Sequence, residues 1–227
     1  NLVYVTNRGA NTLSVLDGKT NNKLADIAVG SLPHGLDLDL INKRAYVSNT
    51  GSNNVTVVDL VKRKAIKTIP CGIEPWGVVY DAVNKWIYTS NTGEGSISRI
   101  NPSTGVTLAK IIVGGRPWNV KVSPRTGRVY STNETDGVLS VVQGNNVIAV
   151  IGVGARPHGI TMNNILDVAY VAVSGAGQVA VVDLATNTIA QLVPVGAGPT
   201  ATAWERNTGK VFVANQGAGT ISVLTPQ

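Results

Sequence analysis

One short stretch is written six times in this chain. Val3-Tyr4-Val5-Thr6-Asn7 returns as Ala45-Tyr46-Val47-Ser48-Asn49, Ile87-Tyr88-Thr89-Ser90-Asn91 and Val129-Tyr130-Ser131-Thr132-Asn133. It returns twice more, as Ala169-Tyr170-Val171-Ala172-Val173 and Val211-Phe212-Val213-Ala214-Asn215. The aromatic positions 4, 46, 88, 130, 170 and 212 recur about every 42 residues, with one interval of about 40. A repeat of this size cannot bury its apolar surface alone, so each copy must stack on its neighbours.

Each copy reads as four strands. In the second copy these are Gly35-Leu40, Arg44-Asn49, Asn54-Leu60 and Ala65-Pro70, rich in β-branched residues and without helical periodicity. Such a sheet is apolar on both faces, and packing blade against blade covers both. The expected class is all-β: a β-propeller of four-stranded antiparallel blades, read as a single domain over residues 1–227. The chain opens on the second to fourth strands of a blade and closes on the first three of another, roughly 22 strands in all. That count fits six blades, or an incomplete seven-bladed ring of which this chain is a fragment. The start at Asn1, inside a repeat and without an initiator methionine or signal peptide, is expected of a processed or partial chain.

Composition removes several alternatives. With 43% hydrophobic and 14% charged residues the chain is too apolar for disorder. No apolar run approaches the ~20 residues of a membrane-crossing helix. The single cysteine, Cys71, excludes an intrachain disulfide and a multi-cysteine metal site. There is no G-x-S-x-G, no H-E-x-x-H and no phosphate-binding loop; Gly152-Val153-Gly154 is not followed by a helix.

The punctuation repeats as faithfully as the strands. A glycine, two variable residues and a proline precede each first strand: Gly30-Pro33, Gly72-Pro75, Gly114-Pro117, Gly154-Pro157 and Gly196-Pro199. Proline cannot donate to a ladder and suits the crossing between blades. Asn49 and its equivalents Asn7, Asn91, Asn133 and Asn215 are read as turn formers. Taken together, G-x-x-P-x-G, VYVTN, V-x-V-I-D and I-x-V-G resemble the YVTN family of β-propellers, relatives of surface-layer and cell-envelope proteins with WD40-like repeats. The resemblance covers essentially the whole chain and speaks for architecture rather than activity. It implies seven blades closed by pairing of the two chain ends, a pattern from which this chain departs. It also implies valine where Cys71 stands, making Cys71 a small buried apolar residue.

In propellers of this type the loops before the first strand and after the second surround the mouth of a central channel. The residues following the prolines are His34, Trp76, Trp118, His158 and Thr200, and those preceding them include Glu74, Arg116 and Arg156. The other loops add Arg8, Glu94, Glu134 and Asp136. Candidate ligand-binding residues are therefore His34, Trp76, Arg116, Trp118, Arg156 and His158. Glu134 and His158 are the catalytic candidates, Glu134 because Tyr130-Glu134 with Gly137-Val142 is similar to the Asn-Glu segment of lactonase-type propellers. A structural alternative stands beside this, in which the histidines wedge between blades. A multi-histidine copper site needs more than the two histidines present, so no metal is expected, although two histidines with Glu74 or Glu134 form an alternative ligand set. The net charge of +6 falls mainly on the opposite face, on residues such as Lys43, Lys62, Arg63, Lys85, Arg125 and Arg128.

The leading expectation is a non-enzymatic binding or scaffold propeller, extracellular, at the cell surface or in the periplasm. Its partners would be an envelope polysaccharide or another protein at the channel mouth. One alternative is a propeller lactonase or lyase; another is an oxidoreductase-associated propeller subunit. No cofactor is expected. Nucleic acid is disfavoured because the basic face lacks interleaved aromatics, and unclosed strands favour self-association.

Overall fold

A computed structural model describes residues 1–225 and divides the chain into two compact units, Asn1–Ile112 and Val113–Gln227. The first contains β1 (Leu2–Asn7), β2 (Thr12–Asp17) and β3 (Lys23–Ala28), then β4 (Pro33–Asp39), β5 (Arg44–Asn49), β6 (Asn54–Asp59) and β7 (Lys64–Pro70). It ends with β8 (Pro75–Asp81), β9 (Trp86–Asn91), β10 (Ser96–Asn101) and β11 (Val106–Ile112). The second unit contains β12 (Pro117–Val122), β13 (Val129–Asn133), β14 (Val138–Gln143) and β15 (Asn146–Gly152). There follow β16 (Pro157–Asn163), β17 (Val168–Val173), β18 (Gln178–Asp183) and β19 (Thr188–Pro194), and finally β20 (Pro199–Trp204), β21 (Val211–Asn215) and β22 (Thr220–Leu224). These are six antiparallel propeller blades, four of four strands and two of three. The only helical turn among the described residues is a three-residue 3₁₀ segment, Ser174–Ala176.

Within each unit the cores run from blade to blade. Leu13 and Val15 of β2 pack with Ala45, Val47 and Val58 of the second blade; Tyr46, Val55 and Val57 pack with Val78 and Ile87 of the third. In the second unit Leu139 and Val141 meet Ile160 and Val171, and Tyr170 and Val179 meet Val211 and Val213. Alternate residues on each strand point to opposite neighbours, which is why the strands carry apolar residues at nearly every position.

All six repeat aromatics lie on equivalent strands, but their burial differs. Tyr46, Tyr88, Tyr130 and Tyr170 are buried, Tyr4 is half-buried and Phe212 is 39% exposed. Phe212 lies between Val211 and Val213, which face the fifth blade, so its ring points to the sheet's other side. Cys71 is half-buried against the core of the second and third blades, and burial pushes its thiol up to about 12.

The recurring asparagines are more than turn formers. Each carboxamide reaches across to a hydroxyl seven residues on: Asn7 donates to Ser14 at 2.7 Å, Asn49 to Thr56 at 2.9 Å, Asn91 to Ser98 at 2.9 Å. Asn133 donates to Ser140 and Asn215 to Ser222, both at 2.8 Å. Gly30, Gly72 and Gly196, each opening a G-x-x-P, lie against this carboxamide; a Cβ on Gly30 would stand 2.6 Å from the Asn49 side chain.

The far loops hold more acids than the chain's net charge suggests. Asp17, Asp59, Asp81 and Asp183 each accept two backbone N–H groups from their own loop. Those bonds hold the Asp17 and Asp183 carboxyls below the usual carboxylate value of 3.8. Arg125 pairs with Asp167 at 3.4 Å. The basic residues of these loops therefore sit among carboxylates, which reduces their pull on an acidic polymer.

Candidate functional site

The residue after each repeat proline is presented by a bulge. Pairing of the first with the second strand slips between Pro33 and Leu36, Pro75 and Val78, Pro117 and Asn119, Pro157 and Ile160, and Pro199 and Ala201. A bulge bends the strand and re-aims the side chain it carries. In the blades whose motif carries Ser or Thr at this place, a hydroxyl then fixes the bulge. Thr132 Oγ1 accepts the Asn119 N–H of its own blade at 3.1 Å and donates to the His158 carbonyl of the next at 2.6 Å. Ser48 accepts from Gly35 at 2.9 Å and donates to the Trp76 carbonyl at 2.7 Å, and Thr6 donates to the His34 carbonyl at 2.9 Å. The Ser or Thr of the repeated motif is thus the residue that holds the candidate side chains in place.

A second coupling ties the residue after the asparagine to the residue before the proline. The Glu134 N–H donates to the Arg116 carbonyl at 2.9 Å, and the Ser174 N–H to the Arg156 carbonyl at 3.0 Å. Arg156 is left-handed, with φ of 55°, a conformation that costs a non-glycine residue on the order of 1–2 kcal/mol.

In the second unit these devices assemble a cluster. Glu134 Oε2 lies 3.6 Å from Arg116 Nη1, and Glu134 Oε1 lies 3.5 Å from Arg156 Nε and 3.4 Å from His158 Nε2. The His158 ring stacks on Trp118, centroids 4.6 Å apart and planes 16° from parallel. Glu134 and His158 side chains are only 13% and 7% exposed, whereas Arg116 and Arg156 are 52% and 64% exposed. His158 Nδ1 is buried with no hydrogen-bond partner in the structure. Each ion pair joins an exposed guanidinium to a largely buried carboxylate.

The first unit fills the same places differently. His34 and Trp76 rings lie 3.9 Å apart, and the Arg8 guanidinium stands over the Trp76 ring at 5.3 Å. Burial, together with the Arg8 charge, lowers the His34 imidazole to about 4, against the opposing effect of its hydrogen bond to the Trp76 backbone. Glu94 is taken up within its own blade, by Lys110 at 2.7 Å and Ser96 at 2.6 Å. Arg116, Trp118, Arg156, His158 and Glu134 are thus gathered in one unit, and His34 and Trp76 belong to the other. Among the described residues no group of three or more His, Cys, Asp or Glu is placed to hold a metal ion.

The profile of the YNCE-like β-propeller family matches residues 1–227. A search of curated proteins found no match. Among solved structures, virginiamycin B lyase from Staphylococcus aureus is similar with 13% identity and a TM-score of 0.80, covering 100% of this chain and 81% of that one. A 6-phosphogluconolactonase homologue from Bacteroides uniformis has 15% identity and a TM-score of 0.81, with 100% and 77% covered. Dihydro-heme d1 dehydrogenase NirN has 16% identity and a TM-score of 0.80, with 100% of this chain but 52% of that one covered. At these identities the likeness is one of fold.

Proposed function

From the premise that the chain belongs to the YNCE-like β-propeller family, we propose that it is a non-enzymatic binding module of the cell surface or envelope. Its second unit would take a planar or sugar-like ligand bearing an acidic group. The observation that carries this reading is the state of Glu134, already engaged with Arg116, Arg156 and His158. A carboxylate so occupied is a poor free base. Two guanidiniums against one carboxylate leave net positive charge, and their exposed donors suit a ligand carboxylate or phosphate. Trp118 supplies an apolar ring for the planar part of the same ligand.

The test compares uronic-acid oligosaccharides with neutral ones of equal length by calorimetric titration. The reading expects binding of the acidic series only, weakened by salt and lost in Arg116→Ala. Equal binding of both series, or of neither, removes it. A second reading is supported by His158, whose Nε2 faces Glu134 while Nδ1 has no partner: a lactonase or lyase in which this pair moves a proton. That reading requires turnover of a lactone or ester that falls ~10²-fold or more in His158→Asn.

A further inference from the structure

At the end of the second blade away from Pro33, two turns meet: residues 40–43 between β4 and β5, and residues 60–63 between β6 and β7. The Leu60 N–H donates to the Lys43 carbonyl at 2.9 Å, so the turns lie side by side. They carry Leu40, Ile41 and Val61, which are 64%, 77% and 75% exposed. Lys43, Lys62, Arg63 and Lys64 flank them, all exposed, and among the described residues none of these cations is in an ion pair. We infer that these turns form a membrane-contact surface, which seats on the headgroups of an anionic lipid bilayer with its aliphatic tips at the edge of the acyl chains.

The frame of these turns does not ask for such residues. In four blades the turn before the last strand is built alike: an Asp or Asn side chain accepts the N–H groups two and three residues on. Elsewhere those two residues are Lys19-Thr20, Ser103-Thr104 and Ala185-Thr186; here they are Val61-Lys62. The next residue is left-handed in each, and is Asn21, Gly105 or Asn187 in the other turns but Arg63 here, with φ of 50°. Lys43, with φ of 52°, stands where Gly127 and Gly209 stand in other blades. A long side chain is disfavoured in that conformation, so neither cation is there for the turn's sake. Single exposed aliphatics are ordinary, but three on adjoining turns make a patch. At the matching turn of the third blade Val83 is 64% exposed, with Lys85 two residues on.

The carboxylates facing this patch are Asp39 and Asp59, at the bases of the turns. Asp39 is engaged by Asn42 and Asp59 by the Val61 and Lys62 N–H groups, bonds that hold the turns in shape with their tips outward. Their charge lowers the attraction of the lysines for a soluble polyanion. The aliphatic tips gain only from a surface with an apolar interior, and apolar burial joined to basic residues is the combination that holds proteins on anionic bilayers. That difference selects a bilayer over an acidic polymer.

The probe is a vesicle of phosphatidylglycerol and phosphatidylcholine in equal parts, set against one of phosphatidylcholine alone and against dextran sulfate as the acidic polymer. Co-sedimentation of the full chain should show binding to the anionic vesicle, weakened by salt, and none to the neutral one. Ile41→Ser combined with Val61→Ser changes only exposed positions, so this variant should fold normally and bind vesicles at least about tenfold less. Lys62→Gln combined with Lys64→Gln should lose at least about tenfold as well. Val61→Trp reads insertion directly. Its emission should shift to the blue on anionic vesicles and be quenched by brominated acyl chains, and dextran sulfate should produce no shift. Failure to bind anionic vesicles would overturn the proposal. Vesicle binding unchanged by the serine pair, or Val61→Trp emission that brominated lipid does not quench, would also overturn it by leaving charge alone at work and giving the turns to an acidic polymer.

Discussion

In the first unit the residue after the asparagine of β1 is Arg8, and its guanidinium lies over Trp76. In the second unit the equivalent residue, after the asparagine of β13, is Glu134, held between Arg116 and Arg156. The positions before the prolines run the other way, Leu32 and Glu74 in the first unit and Arg116 and Arg156 in the second. The supporting frame is the same in both: a bulged first strand, and a hydroxyl that bonds the carbonyl of a His or Trp one blade on. Two loop positions that the frame leaves free therefore set the character of each cluster. In the first unit the aromatic ring is covered by the chain's own side chains. In the second the buried carboxylate leaves the arginines turned outward.

The largest expected difference tests the frame itself. Thr132→Val keeps the shape of the side chain but strips the His158 carbonyl and the Asn119 N–H of a buried partner. It should cost ~1–3 kcal/mol in urea unfolding. Thr6→Val removes the same kind of bond at a less buried place and should cost less. Equal costs would mean that the two frames are not distinguished by burial.

The next prediction concerns ligand. Trp118→Ala should weaken binding of an acidic oligosaccharide by about tenfold or more, in the range of a lost aromatic platform. Trp76→Ala should leave that affinity unchanged. Arg156→Gly is the sharper variant, because glycine suits φ near 55°. It should retain stability while binding falls, separating the arginine's role from the fold. An effect of Trp76→Ala as large as that of Trp118→Ala would erase the distinction between the clusters.

The last comparison is the pH response of the first unit. The folded chain holds His34 near 4, and an unfolded chain takes its proton near the ordinary 6.5. Between those values the unfolded state binds more protons, so stability is fully present above about 6.5 and is lost as pH falls toward 4. Thermal unfolding of His34→Gln should show a flatter dependence across that window. An unchanged slope would mean that His34 is not the group responsible.

Much of the fold was legible because every blade solves the same packing problem with the same residues. The strand count, the crossing prolines and the positions of the repeat aromatics all follow from that repetition. The asparagine-to-hydroxyl pairs were present in the sequence as a constant spacing, as in Asn49 and Thr56 or Asn133 and Ser140, but they become bonds only when two strands lie side by side. The capping role of Asp17, Asp59, Asp81 and Asp183 was hidden for a different reason. A carboxylate counted as charge reads as solvent-facing, while in the folded loop it accepts backbone N–H groups. The candidate site was legible as a set of residues and not as a grouping. Glu134 meets Arg156 and His158 through the packing of one blade on the next, a contact between positions more than twenty residues apart that no local pattern marks.

In the proposed binding reading, Glu134 organises the cluster and moves no proton. Glu134→Gln tests it most directly when oligosaccharide affinity and turnover of lactone or ester substrates are measured on the same preparation. Affinity for the acidic ligand should be unchanged or tighter, since a negative charge is removed beside the arginines, with no turnover in either protein. Measurable wild-type turnover that falls ~10²-fold in Glu134→Gln with affinity preserved would contradict it.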